Sequence, residues 1–346
     1  MSPLRAPNSS TSSTYRCSYR IGYEADSAAT LDADVLAWIR FGNGLATQPD
    51  PRQVNIALTQ TGTAPVAEVW RSRLPVEHGW ADGIGYSHNG EVLFGQLRLE
   101  ERDIADLNRA TTRAYVRIDL LLRRLGYPHW LRMWNFLGQI NHGEGDAERY
   151  RQFSRGRCHA LALKPDFEAQ LPAATTIGTQ GSGMTVYFLA ARESGEQVEN
   201  PRQVSAFHYP AAYGPRSPSF SRATLKHWTD GIHLFVSGTA SVVGHRSLHP
   251  GDPLAQLDET HRNFESLLKH AASLKPSAGP FRAAGLKIYI RNNEHLPSLL
   301  PRARQLFGEE VPLLCLAGDI CRRDLLLEIE GLFTATPLLA LRGAAA

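Results

Sequence analysis

Cysteine is scarce in this 346-residue chain. The four residues Cys17, Cys158, Cys315 and Cys321 form no C-x-x-C pair, which argues against a thioredoxin-type motif or a cysteine-rich zinc site and favours reduced thiols. Long apolar runs are missing too: no stretch of about 18 apolar residues exists, so no membrane-spanning helix is expected. Residues 1–14 are rich in Ser, Thr and Pro and lack the apolar core of a secretory signal. They read as a disordered lead to a soluble cytoplasmic protein. Charge of one sign is also lacking, with 37 basic against 34 acidic side chains and a formal net charge of +3. No global field is available to gather nucleic acid or a membrane surface. The spacings G-x-G-x-x-G and G-x-x-x-x-G-K do not occur, which excludes the common phosphate-binding loops. His245, His249 and Asp252 have no third imidazole at a diagnostic spacing, and no metal is expected.

What is present is enough hydrophobic sequence, 42%, for two or three compact units. Gly85-Tyr86-Ser87 and residues 91–95 read as a strand pair closed at Asn89-Gly90, a strong hairpin dipeptide. Leu107, Ala110, Ala114, Ile118, Leu121, Leu122 and Leu125 recur at helical spacing and stop at Gly126 and Pro128. A strand at 131–137, a polar helix carrying Tyr150 and Phe153, and a strand at 185–189 follow. The order then repeats: a strand at 232–236, a helix with Phe264, Leu267, Leu268 and Ala271, a strand at 286–290, a helix at 296–307, and strands at 313–316 and 325–329. The repetition predicts an α+β protein with helices on one face of each sheet. The division expected is a partial unit at 15–60 with a short helical patch at 33–39, a central unit at 61–200 and a C-terminal unit at 201–346. A linker is expected around 194–201.

Glu328 interrupts the apolar run 325–329, where a strand residue should face the interior. It is either a salt-bridged structural residue or an acid whose proton affinity desolvation has raised. The Pro-punctuated segment 209–222 carries Tyr213, Arg216 and Arg222, planar donors suited to carboxylates, or else an ordinary surface loop. Arg291, directly after a strand, is a further carboxylate candidate, or simply solvated. Tyr150, Arg151, Arg155 and Arg157 form a basic aromatic patch, solvated unless its face abuts the second half. The small residues from Ser237-Gly238 onwards let backbone approach a ligand closely.

Ala211-Ala212-Tyr213-Gly214-Pro215, Phe235-Val236-Ser237-Gly238, Asp258-Glu259-Thr260 and Leu327-Glu328-Ile329-Glu330 carry a likeness. The second half resembles the Rid/YjgF enamine-deaminase fold, and nearly the whole length resembles the chorismatases, which split chorismate into pyruvate and a hydroxylated benzoate or dihydrobenzoate. The resemblance implies a monomer of tandem Rid/YjgF-like (chorismate mutase-like) domains with mixed sheets and pseudo-threefold symmetry. It places the active site between the central and C-terminal domains. It assigns Glu328 as the acid that protonates the enol ether methylene, puts Cys321 where the hydroxybenzoate-forming branch has a cysteine, and sets Gly238 and Val243 against the ring. One departure matters: Leu313 stands two residues before Cys315, where a Rid protein has its carboxylate-binding arginine. Imine hydrolysis is therefore not expected. Chorismate carries two carboxylates and an enolpyruvyl ether, so its site needs arginines and one neutral acid. No cofactor is needed, because hydroxybenzoate plus pyruvate has the composition of chorismate. The expected product is 3-hydroxybenzoate, with 4-hydroxybenzoate as an accompanying product. The alternatives are a hydrolytic enzyme giving 3,4-dihydroxycyclohexa-1,5-dienoate and a non-catalytic metabolite-binding module.

Overall fold

Strands in this chain are set by burial on both faces more than by alternation, and the N-terminal sheet shows it first. In the computed structural model, which describes residues 17–26, 30–45, 49–62, 65–229, 231–276 and 278–336, this sheet holds β1 (Tyr19–Ala25), β2 (Val35–Phe41), β3 (Gln53–Ile56) and β5 (Val66–Ser72). The strand order is β1-β5-β2-β3, with β2 and β3 parallel and the other pairs antiparallel. β2 replaces the helical patch expected at 33–39. Val35, Leu36, Ala37, Trp38 and Ile39 are all buried, and such a run does not reveal by its periodicity whether it is helix or strand. The lead expected at 1–14 lies outside the described residues. The two-residue β4 (Thr59–Gln60) leaves this sheet to pair elsewhere.

The central sheet comprises β6 (Glu77–Ala81), β7 (Ile84–His88), β8 (Val92–Leu99), β9 (His129–Gly138), β10 (Ala173–Thr179) and β11 (Met184–Ala191), in the order β6-β7-β8-β11-β9-β10. Two helices cover one face, α1 (Leu107–Leu125) and α2 (Arg149–Leu161). Asp106 starts α1 by accepting the Arg109 N–H, and Gly126, at φ 79°, takes the left-handed conformation that ends it.

The C-terminal sheet comprises β12 (Glu196–Val198), β13 (Ala223–Trp228), β14 (Gly231–Thr239), β17 (Arg282–Ile290), β18 (Leu313–Ala317) and β19 (Leu327–Ala335), in the order β12-β13-β14-β19-β17-β18, with β4 added at the far edge. A small hairpin, β15 (Val242–Val243) and β16 (Arg246–Ser247), follows β14. α3 (Pro253–Leu274) and α4 (Leu296–Phe307) cover one face. The linker expected around 194–201 instead contributes the edge strand β12, paired to β13.

Numbered within each sheet, the central and C-terminal strands lie in one order, first-second-third-sixth-fourth-fifth, with the fourth and fifth parallel in both. The N-terminal sheet repeats the last four places of that order without an α-helix among the described residues. Opposite the helices, the three sheets meet in a shared core that includes Trp70, Trp134, Tyr187, Phe235, Tyr289 and Leu314. Strand alternation then decides where the carboxylates go. Leu327, Ile329 and Phe333 of β19 join the core under α3 and α4. Glu328 and Glu330 therefore point the other way, to where the sheets converge.

Candidate active site

A loop at 318–326 delivers the chain into β19, and Arg291 holds it. Its guanidinium donates to the carbonyls of Leu325 (3.0 Å), Ile320 (2.9 Å) and Arg322 (3.0 Å), and pairs with Asp319 at 2.6 Å. Gln256 of α3 ties the same loop by donating to the Asp324 carbonyl and accepting the Leu326 N–H, both at 2.8 Å. Arg291 is thus a strut for the loop, which corrects its reading as a carboxylate contact. Its Nε and Nη2 are spent on backbone oxygens of an irregular segment, and its Nη1 on the side chains of Asp319 and Asn141.

In front of the loop lies a cavity of about 810 Å3, within the size range of small-molecule sites. Tyr150 and Arg151 of α2 and Ala174 and Thr176 of β10 line one side; Tyr213, Arg222, Gly238, Arg322, Cys321 and Glu328 line the other. Gly238 lies in a bulge of β14 opposite Glu330, where the pairing with β19 shifts between Val236 and Thr239. A Cβ on Gly238 would overlap Glu328 Oε1. Only glycine leaves room for the carboxyl where it is.

Glu328 is 6% exposed, and no hydrogen bond to its carboxyl forms among the described residues. Burial pushes its proton affinity up, the charge of Glu330 adds to this, and Arg132, Arg222 and Arg322 pull it back, leaving a pKa of about 8. The carboxyl is neutral at pH 7. Burial, then Glu328, pushes the Cys321 thiol up to about 12 despite Arg322 and a hydrogen bond from Tyr150. The thiol is neither a thiolate nucleophile nor a base.

Of the residues expected at the site, Glu328, Cys321, Tyr213, Arg222, Gly238 and Tyr150 all line the cavity. Arg222 is buried, donates through Nη2 to the Val204 carbonyl (2.8 Å) and to Tyr209 Oη (2.7 Å), and leaves its Nε without an acceptor among the described residues. Five expected contacts are not there. Arg216 is exposed and borders a separate surface hollow on the outer side of its loop. Arg155 points to solvent, one turn beyond Arg151 on α2. Arg157 is buried against the Tyr115 ring, with Nε and Nη2 unmatched, outside the cavity wall. Val243 yields to Val242, because neighbouring strand residues face opposite ways. Arg291 is the strut described above.

Arg322 is the residue that sequence reasoning missed. Its guanidinium stacks 4.1 Å from the Tyr213 ring centre and 5.1 Å from that of Tyr209, and it donates to the His245 carbonyl at 2.8 Å. The Arg322-Arg323 pair between Cys321 and Glu328 was the available signal.

Behind Glu328 lies a buried ion cluster. Lys287 sits 2.5 Å from Glu68 and 3.1 Å from Glu330, and Arg132 is 2.6 Å from Glu330. Burial works against the charge on Lys287, but Glu68 and Glu330 outweigh it and hold it protonated. Burial likewise opposes ionisation of Glu330, yet Lys287 and Arg132 keep it below the usual carboxylate range.

Residues 68–190 match the family described as Chorismatase FkbO/Hyg5-like, N-terminal. The chain is 41% identical over 290 residues to a 3-hydroxybenzoate synthase of Streptomyces hygroscopicus, covering 81% of this chain and 84% of that protein. It is 35% identical over 324 residues to a chorismatase of the same organism, covering 90% and 93%. A solved chorismatase structure superposes with a TM-score of 0.83 at 34% identity, over 91% of this chain and 98% of the other.

Proposed function

Since the chain belongs to the chorismatase family, we propose that it cleaves chorismate to pyruvate and 3-hydroxybenzoate, with Glu328 as the acid that starts the reaction. The observation that carries this is a buried carboxyl, neutral at pH 7, facing an arginine-lined cavity. The substrate's carboxylates pair with Arg222 and Arg322, both of which line the cavity. Tyr150, Tyr213 and Gly238 flank the ring. Glu328 transfers its proton to the methylene carbon of the enolpyruvyl group, and the cation formed at the ether carbon then faces the new carboxylate. Attack of the ring's C4 hydroxyl on C3 breaks the bond between C3 and the ether oxygen and releases pyruvate, the hydroxyl proton passing to the Glu328 carboxylate; the epoxide so formed opens with its oxygen kept on C3, and loss of a ring hydrogen as a proton gives 3-hydroxybenzoate. The two products together contain the atoms of chorismate, so the reaction needs no redox partner or other co-reactant. Cys321, neutral and polarisable, excludes water beside the ring and favours the aromatic product over the diol.

The shared strand order supports the division into a partial unit at 15–60, a central unit at 61–200 and a C-terminal unit at 201–346. The same reading takes the protein as a cytoplasmic monomer acting on a small molecule. Incubation with chorismate, chromatography of the aromatic acids and a pyruvate assay test the proposal. Pyruvate equal in amount to the hydroxybenzoate formed, with 3-hydroxybenzoate as the main isomer, is expected. The non-aromatic diol would place the chain in the hydrolytic branch, and binding without turnover would make it a metabolite-binding module.

A further inference from the structure

Glu330 lies two residues from Glu328 on the same face of β19, about 6.5 Å along the strand. Five donors converge on its carboxylate: Arg132 Nη2 at 2.6 Å, Trp134 Nε1 at 2.8 Å, Tyr289 Oη and Lys287 Nζ at 3.1 Å, and the Thr175 hydroxyl. Two of these donors are cations, and no side of the carboxylate is left for a proton. The link to the cavity is direct. Thr175 Oγ1 also accepts the Gly238 N–H at 3.0 Å, fixing the glycine whose missing side chain is replaced by the Glu328 carboxyl.

We propose that Glu330 is a positioning residue for the reaction: a permanently ionised carboxylate, clamped behind Glu328, that keeps the catalytic carboxyl in its proton-donating form. This rests on the reading of Glu328 as the acid. The groups acting on Glu328 are Glu330 from its own strand, Arg132 from β9, Tyr150 from α2, Arg222 from the segment before β13, and Cys321 and Arg322 from the loop before β19. The arginines favour the ionised form, and Glu330 and burial oppose them. Without Glu330 only burial opposes the arginines, so the ionised form gains. The remaining cluster also becomes more positive, since Lys287 and Arg132 lose a counter-charge, which acts in the same direction.

The test is the pH profile of kcat/KM for chorismate. Wild type should lose activity as pH rises through the titration of Glu328 near 8. Glu330→Gln should move that fall to lower pH by about one unit or more, while the acid-side rate stays within about tenfold. A uniform loss at every pH, with the alkaline fall unmoved, would overturn the proposal and leave Glu330 a packing residue. A second measurement does not depend on the variant folding: 13C NMR of carboxyl-labelled glutamate in the wild-type protein. Glu330 should read as ionised from pH 5 to 9 while Glu328 titrates, and a Glu330 signal titrating in that range would overturn it. Glu328→Gln separates this inference from its premise. Retained turnover in that variant would defeat the assignment of the acid, whereas lost turnover together with an unmoved Glu330→Gln profile would defeat only the role of Glu330.

Discussion

Glu328 and Glu330 share a strand, a face and nearly the same burial, 6% and 3% exposed, yet they carry opposite protonation states. Five donors surround Glu330. Glu328 receives no hydrogen bond from the described residues and looks into a cavity. Burial alone therefore does not decide whether a carboxyl is charged. The local supply of donors does, and here it changes over two residues because the β14 bulge ends the packed interior and opens the cavity.

The strongest way to break this contrast is to remove the cation that Glu330 shares with Glu68. Lys287→Met should destabilise the protein by ~3–5 kcal/mol, because two buried carboxylates lose their common partner. Thermal or urea unfolding measures it. Glu328→Gln should act in the opposite sense. The Glu328 pKa is raised to about 8 in the fold from an ordinary 4.5, so above pH 4.5 the unfolded chain releases a proton that the folded protein keeps. Wild-type stability therefore falls from pH 4.5 to 8, and glutamine, with no proton to lose, should gain progressively over that window. By pH 8 the variant should be more stable by ~2–4 kcal/mol. Equal stability at all pH values would mean that the carboxyl is not held neutral.

Arg322→Ala sharpens the contrast from the cavity side. Loss of a charged hydrogen bond to a substrate carboxylate should weaken chorismate binding about 30- to 150-fold, or ~2–3 kcal/mol. Arg216→Ala, on the outer side of the loop, should leave KM within about twofold. The smallest effect on rate is expected from Cys321→Ala. Its thiol is neutral, so chorismate consumption should stay within about tenfold, ~1.4 kcal/mol, while product moves from hydroxybenzoate towards the diol. An unchanged product ratio would reduce Cys321 to packing.

Local features of this chain were legible in the sequence. α1 was readable because its apolar stripe and terminating glycine lie within about 20 residues of one another. β2 was misread because Val35 to Ile39 is apolar throughout. β5, β10 and β13 were not anticipated, since Glu68, Thr175, Thr176 and Lys226 make them look polar and the buried polar partners are distant in the chain. At the site, Glu328 stood out as a charge in an apolar strand. Arg216 and Arg222 looked equivalent, because the direction of a loop side chain is set by tertiary contacts, here Val204 and Tyr209 for Arg222. Glu330 was equally visible beside Glu328. Its five donors come from β9, β10 and β17, so its charge could not be read until the sheets were assembled.

The central claim is that a protein carboxyl delivers a proton to the substrate's methylene carbon, and the hydrogen can be followed directly. Chorismate should be turned over in D2O, with the pyruvate reduced at once to lactate to prevent exchange and analysed by mass spectrometry. A neutral Glu328 in equilibrium with solvent predicts one deuterium in the methyl group. A methyl group free of deuterium would mean that the hydrogen came from within the substrate, and would contradict the account.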